Sequence, residues 1–261
     1  MRRTTRQRLT RTILYVVFAA IVLGIVVSTD WGLVQRQFFN AEVARSQWPQ
    51  IVTIALRNTL LFTVISFVGG LVLGTIMALM KLSSITPYRW FATGFIELFR
   101  GIPALLTIFA MAYMLPIALG VQVPGGAVGA GLLGLILVAA AYMAEIIRSG
   151  IQAVPKGQRE AARSLGMSQA RTMYTVILPQ AFRIVIPPVT NEFVLLLKDT
   201  SLLFIAGSTL QTKELTTFAR DGLTTNANAT PLIMAAMLYL LVTIPLTSLV
   251  ARLERKMAKS R

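Results

Sequence analysis

A chain of 261 residues that is 55% hydrophobic and only 13% charged is too apolar for a soluble domain, in which charged residues make up about a quarter. With no cysteine and no histidine, it lacks the material for disulfides, thiol nucleophiles, imidazole bases and most transition-metal sites, so no catalytic or metal-binding residue is assigned. A net charge of +15 would point to nucleic acid in a soluble protein, but here the charge is sorted between apolar runs, and no nucleic-acid partner is expected.

Crossing a hydrocarbon core roughly 30 Å thick takes about 20 apolar residues in a helix. Six runs answer that description, at residues 13–29, 59–80, 104–119, 128–147, 185–205 and 232–250. Helices satisfy their own backbone polar groups in lipid, so the expected fold class is all-α, a polytopic membrane bundle of six transmembrane helices. Basic residues favour the cytoplasmic side. Placing both termini there collects Arg2, Arg3, Arg6, Arg8 and Arg11 at the start and Arg252, Arg255, Lys256, Lys259 and Arg261 at the end, with most of the remaining Lys and Arg in the inner loops.

Residues 1–50 form a first unit: a basic tail, the first span and an external segment whose Trp31, Phe38, Phe39 and Trp48 suit a water–lipid interface. The start resembles a signal peptide, but the segment around Ser28 lacks a small-x-small cleavage site, so the span is expected to be retained. Residues 51–251 make the main membrane domain, and 252–261 a basic tail. In the second span, Gly70 and Gly74 have the small-x3-small spacing that brings helices close; generic glycine in a lipid-facing helix is the competing reading. Ahead of the third span, Glu97 and Arg100 are three apart and share a helix face, where they could pair as a structural link, and Pro103 sits at a start or kink. Pro124-Gly125-Gly126 turns the chain so that the third and fourth spans form an antiparallel hairpin.

Between the fourth and fifth spans the chain returns to water over residues 148–183. This segment reads as helix, break, helix: Pro155 opens the first helix and Gly166 ends it, while Ser168 caps a second that Pro179 stops. Ala161, Ala162 and Leu165 make the apolar side of the first helix. Each helix can bury one face and show another, as a docking surface would.

Ionisable residues inside spans are costly and count as functional candidates. Glu145, Glu192, Lys198 and Asp199 qualify, with Asn191 and Thr200 as polar neighbours. Lys198 and Asp199 point about 100° apart on a helix, so each calls for a partner from another span. Asp199 lies on the same side as Glu192, and Asn191 shares a stripe with Lys198, which makes the fifth span a wall of a polar path. Two roles stay open for these groups, contact with solute or clamps between spans.

Residues 162–168 also resemble the turn of a DNA-binding helix-turn-helix, but that motif needs a supporting helix and a core. A more specific resemblance rests on Glu160-Ala161-Ala162, Gly166 four residues after the second alanine, and Ile177-Leu178-Pro179. These match the cytoplasmic loop of binding-protein-dependent ABC import permeases. The flanking Glu97-Leu98-Phe99-Arg100-Gly101-Ile102-Pro103, Ile186-Pro187-Pro188, Asn191 and Leu197-Lys198-Asp199-Thr200-Ser201-Leu202 are similar to the polar amino acid branch of that family, over roughly residues 48–250.

The resemblance implies a type I importer permease in the bacterial plasma membrane. It implies a cytoplasmic ABC ATPase dimer carrying ATP and magnesium, a second permease subunit and an extracytoplasmic amino acid-binding protein. It gives Glu160, Ala161, Ala162, Leu165, Gly166, Leu178 and Pro179 the coupling to the ATPase. The chain has no Gly-x4-Gly-Lys-Ser/Thr phosphate loop, so no ATP site is expected on it. An ABC permease for another small polar solute, a channel or scaffold without an ATPase, and a membrane enzyme remain as alternatives.

Overall fold

The computed structural model describes residues 3–258; Arg2, Lys259 and Arg261 of the expected basic flanks lie outside them. Helices α1 (Arg3–Ser28), α2 (Trp31–Phe38), α3 (Ala41–Gln50) and α4 (Arg57–Leu82) lead into a short α5 (Thr86–Gly101), α6 (Ala104–Phe109) and α7 (Leu115–Leu119). The long α8 (Gly126–Gln152) follows, then α9 (Lys156–Ser164), α10 (Gln169–Thr172), α11 (Leu178–Asp199), α12 (Leu215–Asn226) and α13 (Thr230–Ala258). Among the described residues there is no strand.

The centre of the bundle is the seam between α4 and α8. A Cβ on Gly70 would lie 2.7 Å from the Ala139 Cβ, and one on Gly74 would lie 2.8 Å from the Ala140 carbonyl oxygen. The small-x3-small reading therefore holds, and the two helices meet almost backbone to backbone. Around the seam Phe62, Ile108, Leu135, Met143, Leu196 and Leu203 form one core. Gly134 lets α6 close on α8, since its Cβ would meet the Ile108 Cα at 2.9 Å.

Two prolines shape the helices without ending them. A proline has no N–H for the carbonyl four residues back, and its ring crowds that carbonyl, so the chain opens into a wide π turn. Such turns occupy Ala110–Met114 ahead of Pro116 and Met173–Ile177 ahead of Pro179; a third, at Ile51–Leu56, follows Pro49 and is not accounted for by it. Pro179 thus does not stop the second loop helix. The π turn ahead of it accommodates the missing N–H, and the helix runs on through α11.

Four helical stretches are long and apolar enough to cross a membrane: Thr10–Ser28, Trp31–Leu82, Gly126–Gln152 and Thr230–Met257. The expected third span is one arm of a broken pair. Its helices α6 and α7 are bent 106° from α5, and the pair qualifies only when both arms are counted. The expected fifth span is α11, 22 residues long, whose two internal prolines and charged residues keep it out of the apolar set. The expected boundary at residue 50 falls inside a continuous helical run, and α13 extends through residue 252.

α1 is exposed wherever its side chains are described. By contrast, α2 and α3 are tied to the α12–α13 corner. The Asn228 side-chain amide donates to the Arg36 carbonyl, the Ala229 N–H to the Gln37 carbonyl, and the Asn40 N–H to the Thr230 hydroxyl.

Candidate functional site

The loop between α8 and α11 is rooted by Ile151, Val154, Ile177 and Ala181, which form a separate core at that end of the bundle. From this root α9 projects. Its C-terminus closes on Gly166 at φ +79°, a conformation that glycine adopts without the strain of a Cβ. The Gly166 N–H donates to the Arg163 carbonyl and the Met167 N–H to the Ala162 carbonyl. Ser168 then caps α10 by accepting from the Arg171 N–H.

Ala162 is buried, whereas Glu160 and Ala161 are exposed and Leu165 is 84% exposed. The apolar side expected of Ala161, Ala162 and Leu165 is therefore split, because Ala162 faces inward and the other two face out. Pro179 is exposed and Leu178 half-buried against the root. Leu165 thus stands uncovered at the tip of a well-anchored turn.

Above the root lies an ion cluster. The Glu145 carboxylate accepts from Lys81 at 3.3 Å and from the Arg148 Nε at 3.0 Å, and a second Arg148 nitrogen donates to its other oxygen. Arg148 also donates to Gln152. Lys81 ends α4 and Glu145 lies on α8, so this carboxylate ties the two central helices together. Both oxygens are occupied by the chain's own cations, and of the two roles left open for Glu145 the clamp is the one its contacts serve.

The expected pair of Glu97 and Arg100 is not among the ion pairs of the described residues; both side chains are exposed. Arg100 instead lies over the Tyr142 ring, 5.5 Å from its centroid. It links α5 to α8 through cation–π attraction.

On α11, Glu192 is buried at 8% exposure, Asp199 is half-buried, and Asn191, Leu195 and Lys198 form an exposed stripe. Lys198 and Asp199 have no ion-pair partner from another span among the described residues, contrary to expectation, since Lys198 points away from the bundle. Thr200 is buried, and its hydroxyl donates to the Leu197 carbonyl at 2.7 Å at the end of α11.

The sequence reading missed a polar core at the opposite end of the bundle. Glu214, 1% exposed, caps α12: its carboxylate accepts from the Thr216 and Thr217 N–H groups at 2.6 and 2.7 Å. Burial pushes this carboxyl above its ordinary range, while the bonds from Thr217 and Thr216 pull it back. The Leu215 N–H donates to the Thr59 hydroxyl, Thr216 pairs with the Tyr239 hydroxyl, and the Asn58 amide reaches the Gln211 and Lys213 carbonyls. Glutamate is a less common helix cap than Ser, Thr, Asp or Asn, so nothing local announced this core. Among the described residues no group of three or more carboxylates could hold a metal ion.

A helical bundle with a close-packed central seam, charges along one helix and a projecting loop has the architecture of a membrane transport permease. Residues 70–259 match the model of the family "binding-protein-dependent transport system inner membrane component", and the chain belongs to that family. It is 39% identical to the probable glutamine ABC transporter permease protein GlnM of Bacillus subtilis, over 78% of this chain and 91% of the relative. It is 38% identical to the L-cystine transport system permease protein TcyB of the same organism, over 70% and 72%. A solved amino acid ABC transporter with histidines superposes with a TM-score of 0.73 at 35% identity, over 81% of this chain and 95% of that one.

Proposed function

We propose that this chain carries a polar amino acid inward through the bacterial plasma membrane, as one of two permease subunits that form the path. Both termini and the loop at 148–183 face the cytoplasm. An extracytoplasmic binding protein delivers the solute, and a pair of cytoplasmic ATPase chains holds ATP and magnesium and docks on the loop. Residues 51–251 form the permease proper, 1–50 add an anchor in the lipid, and 252–261 form a basic tail.

The observation that carries the reading is the loop itself. Glu160, Ala161 and Leu165 are exposed on a helix whose end is set by Gly166, and the turn at Met173–Ile177 passes without a break through Leu178 and Pro179 into α11. α9 packs against that turn, so a push on the tip passes by contact into the continuous rod that carries Asn191, Glu192, Lys198 and Asp199. The kinship with permeases whose names carry glutamine and L-cystine supports a polar amino acid as cargo, and charges of both signs on α11 suit a zwitterion. The test is Gly166→Leu in the complete transporter reconstituted in liposomes. Transport and solute-stimulated ATP hydrolysis should become uncoupled while the subunit stays in the membrane; retained coupled transport sinks the reading.

A further inference from the structure

Beside the ion cluster of Glu145 and Arg148, the end of α8 and the start of α9 frame an open cavity of about 480 Å³, the size of a small-molecule site. Ile151 and Val154, both buried, close its base. Its rim carries Gln152, Lys156, Arg159 and Glu160, all four exposed and so free to meet a ligand.

The rim holds charges of both signs that do not neutralise each other. Lys156 and Glu160 are four apart and share a face of α9, a spacing that lets opposite charges pair. Yet neither they nor Arg159 makes an ion pair or a side-chain hydrogen bond among the described residues. Gln152 is oriented by its neighbour: its Oε1 accepts from Arg148, whose other nitrogens are held by Glu145. The amide N–H groups of Gln152 are then what it offers to the cavity. Two cations and an amide donor thus share the rim with one carboxylate. A phosphate would satisfy the cations and be repelled by Glu160, and a simple amine would do the reverse. A ligand with a carboxylate and an ammonium on one carbon satisfies both, and the apolar base receives its side chain.

We propose that this cavity binds a free amino acid from the cytoplasm, with its carboxylate on Lys156, Arg159 and Gln152 and its ammonium on Glu160, and that occupancy inhibits ATP-driven import. The inhibition rests on the proposed docking of an ATPase to this loop, whereas the binding does not. Glu160 belongs to the exposed face of α9, and a bound ammonium neutralises its charge there. Solute that has accumulated inside thereby slows its own uptake.

The first measurement is the melting temperature of the purified, full-length permease in nanodiscs, at constant ionic strength, with millimolar L-glutamine, N-acetyl-L-glutamine, L-glutamine amide or inorganic phosphate. L-glutamine should raise it, and the other three should not. Gln152→Met, which keeps the bulk and removes the amide, and Glu160→Gln should each weaken the response by about tenfold or more, as for a lost hydrogen bond to a charged group. No response to L-glutamine overturns the proposal, and equal stabilisation by the acetyl derivative or phosphate does so by making this an anion site. A response lost in Asp199→Asn but kept in Gln152→Met puts the solute on α11 and also overturns it. The second measurement adds L-glutamine to the ATPase side of the complete transporter in liposomes. ATP hydrolysis should fall several-fold, and Gln152→Met should restore it; unchanged hydrolysis in the wild type overturns the inhibition. A transporter that imports no amino acid, while L-glutamine still stabilises the permease through Gln152, sinks the transport reading and leaves the binding site standing.

Discussion

The α4–α8 seam and the α11 wall are both central to the bundle, and they are built by opposite means. Along the seam, Gly70 and Gly74 meet Ala139 and Ala140 with no side chain between them, and the polar link, Lys81 to Glu145, is fully engaged. Along α11, Glu192 is buried with no ion-pair partner among the described residues, and Asn191, Leu195 and Lys198 face outward. A contact with every group satisfied has one arrangement, whereas a wall with unsatisfied charges gains from a new partner. The first is suited to hold its geometry and the second to change it.

The contrast breaks most clearly at Gly74. A leucine there has to displace the Ala140 carbonyl and the Met143 Cβ at 2.8 and 2.9 Å, an overpacking that costs about 3 kcal/mol or more. The expected outcome is loss of the monodisperse peak on detergent size-exclusion chromatography. Gly94→Leu, where a Cβ meets open space, should elute as the wild type. If both variants elute alike, the seam is not what organises the bundle.

Glu145→Ala should cost about 1–3 kcal/mol in thermal melting, because it leaves Lys81 and Arg148 without their shared carboxylate. Adding Lys81→Met should recover part of that loss, as expected of a real coupling. Strictly additive effects would remove Glu145 from the seam and return it to the path.

On the wall, Glu192→Gln and Asp199→Asn should shift melting by less than about 1 kcal/mol and change transport, read as the ratio of uptake rates across a panel of amino acids. Loss of assembled complex with either variant would make α11 a second clamp and erase the contrast. The smallest effects belong to α5. Arg100→Gln should cost about 0.5–1 kcal/mol through the Tyr142 ring, and Glu97→Gln less than about 0.5 kcal/mol; equal losses would restore the abandoned pairing of the two.

Most of the loop was legible because its signals are local. Gly166, Ser168 and Pro155 each act within a turn of their own position, and the exposed tip follows from where they put the breaks. The glycine spacing of α4 pointed to a close approach but could not name α8 as its partner. Long-range partners were out of reach: Lys81 meets Glu145 64 positions away, and Arg100 chose Tyr142 over the nearer Glu97. Proline was misread at Pro179, because a helix that has packing on both sides can widen by a turn where an isolated one would end. The number of spans was blurred for a related reason, since α11 carries too much charge and too many prolines to look like a span, and α6–α7 is too short without its bent neighbour.

The wide turn at Met173–Ile177 has an angular consequence. One residue more or less in a helix rotates everything beyond it by about 100°, so this single turn sets the phase between α10 and the α11 stripe. Removing one residue from it would leave the loop, the stripe and the length of the rod almost as they are, yet turn Asn191 and Lys198 toward different neighbours. The α10 end of the loop and the α11 stripe are thus in register like two cams on one shaft, and the proline that opens the turn helps to set their timing.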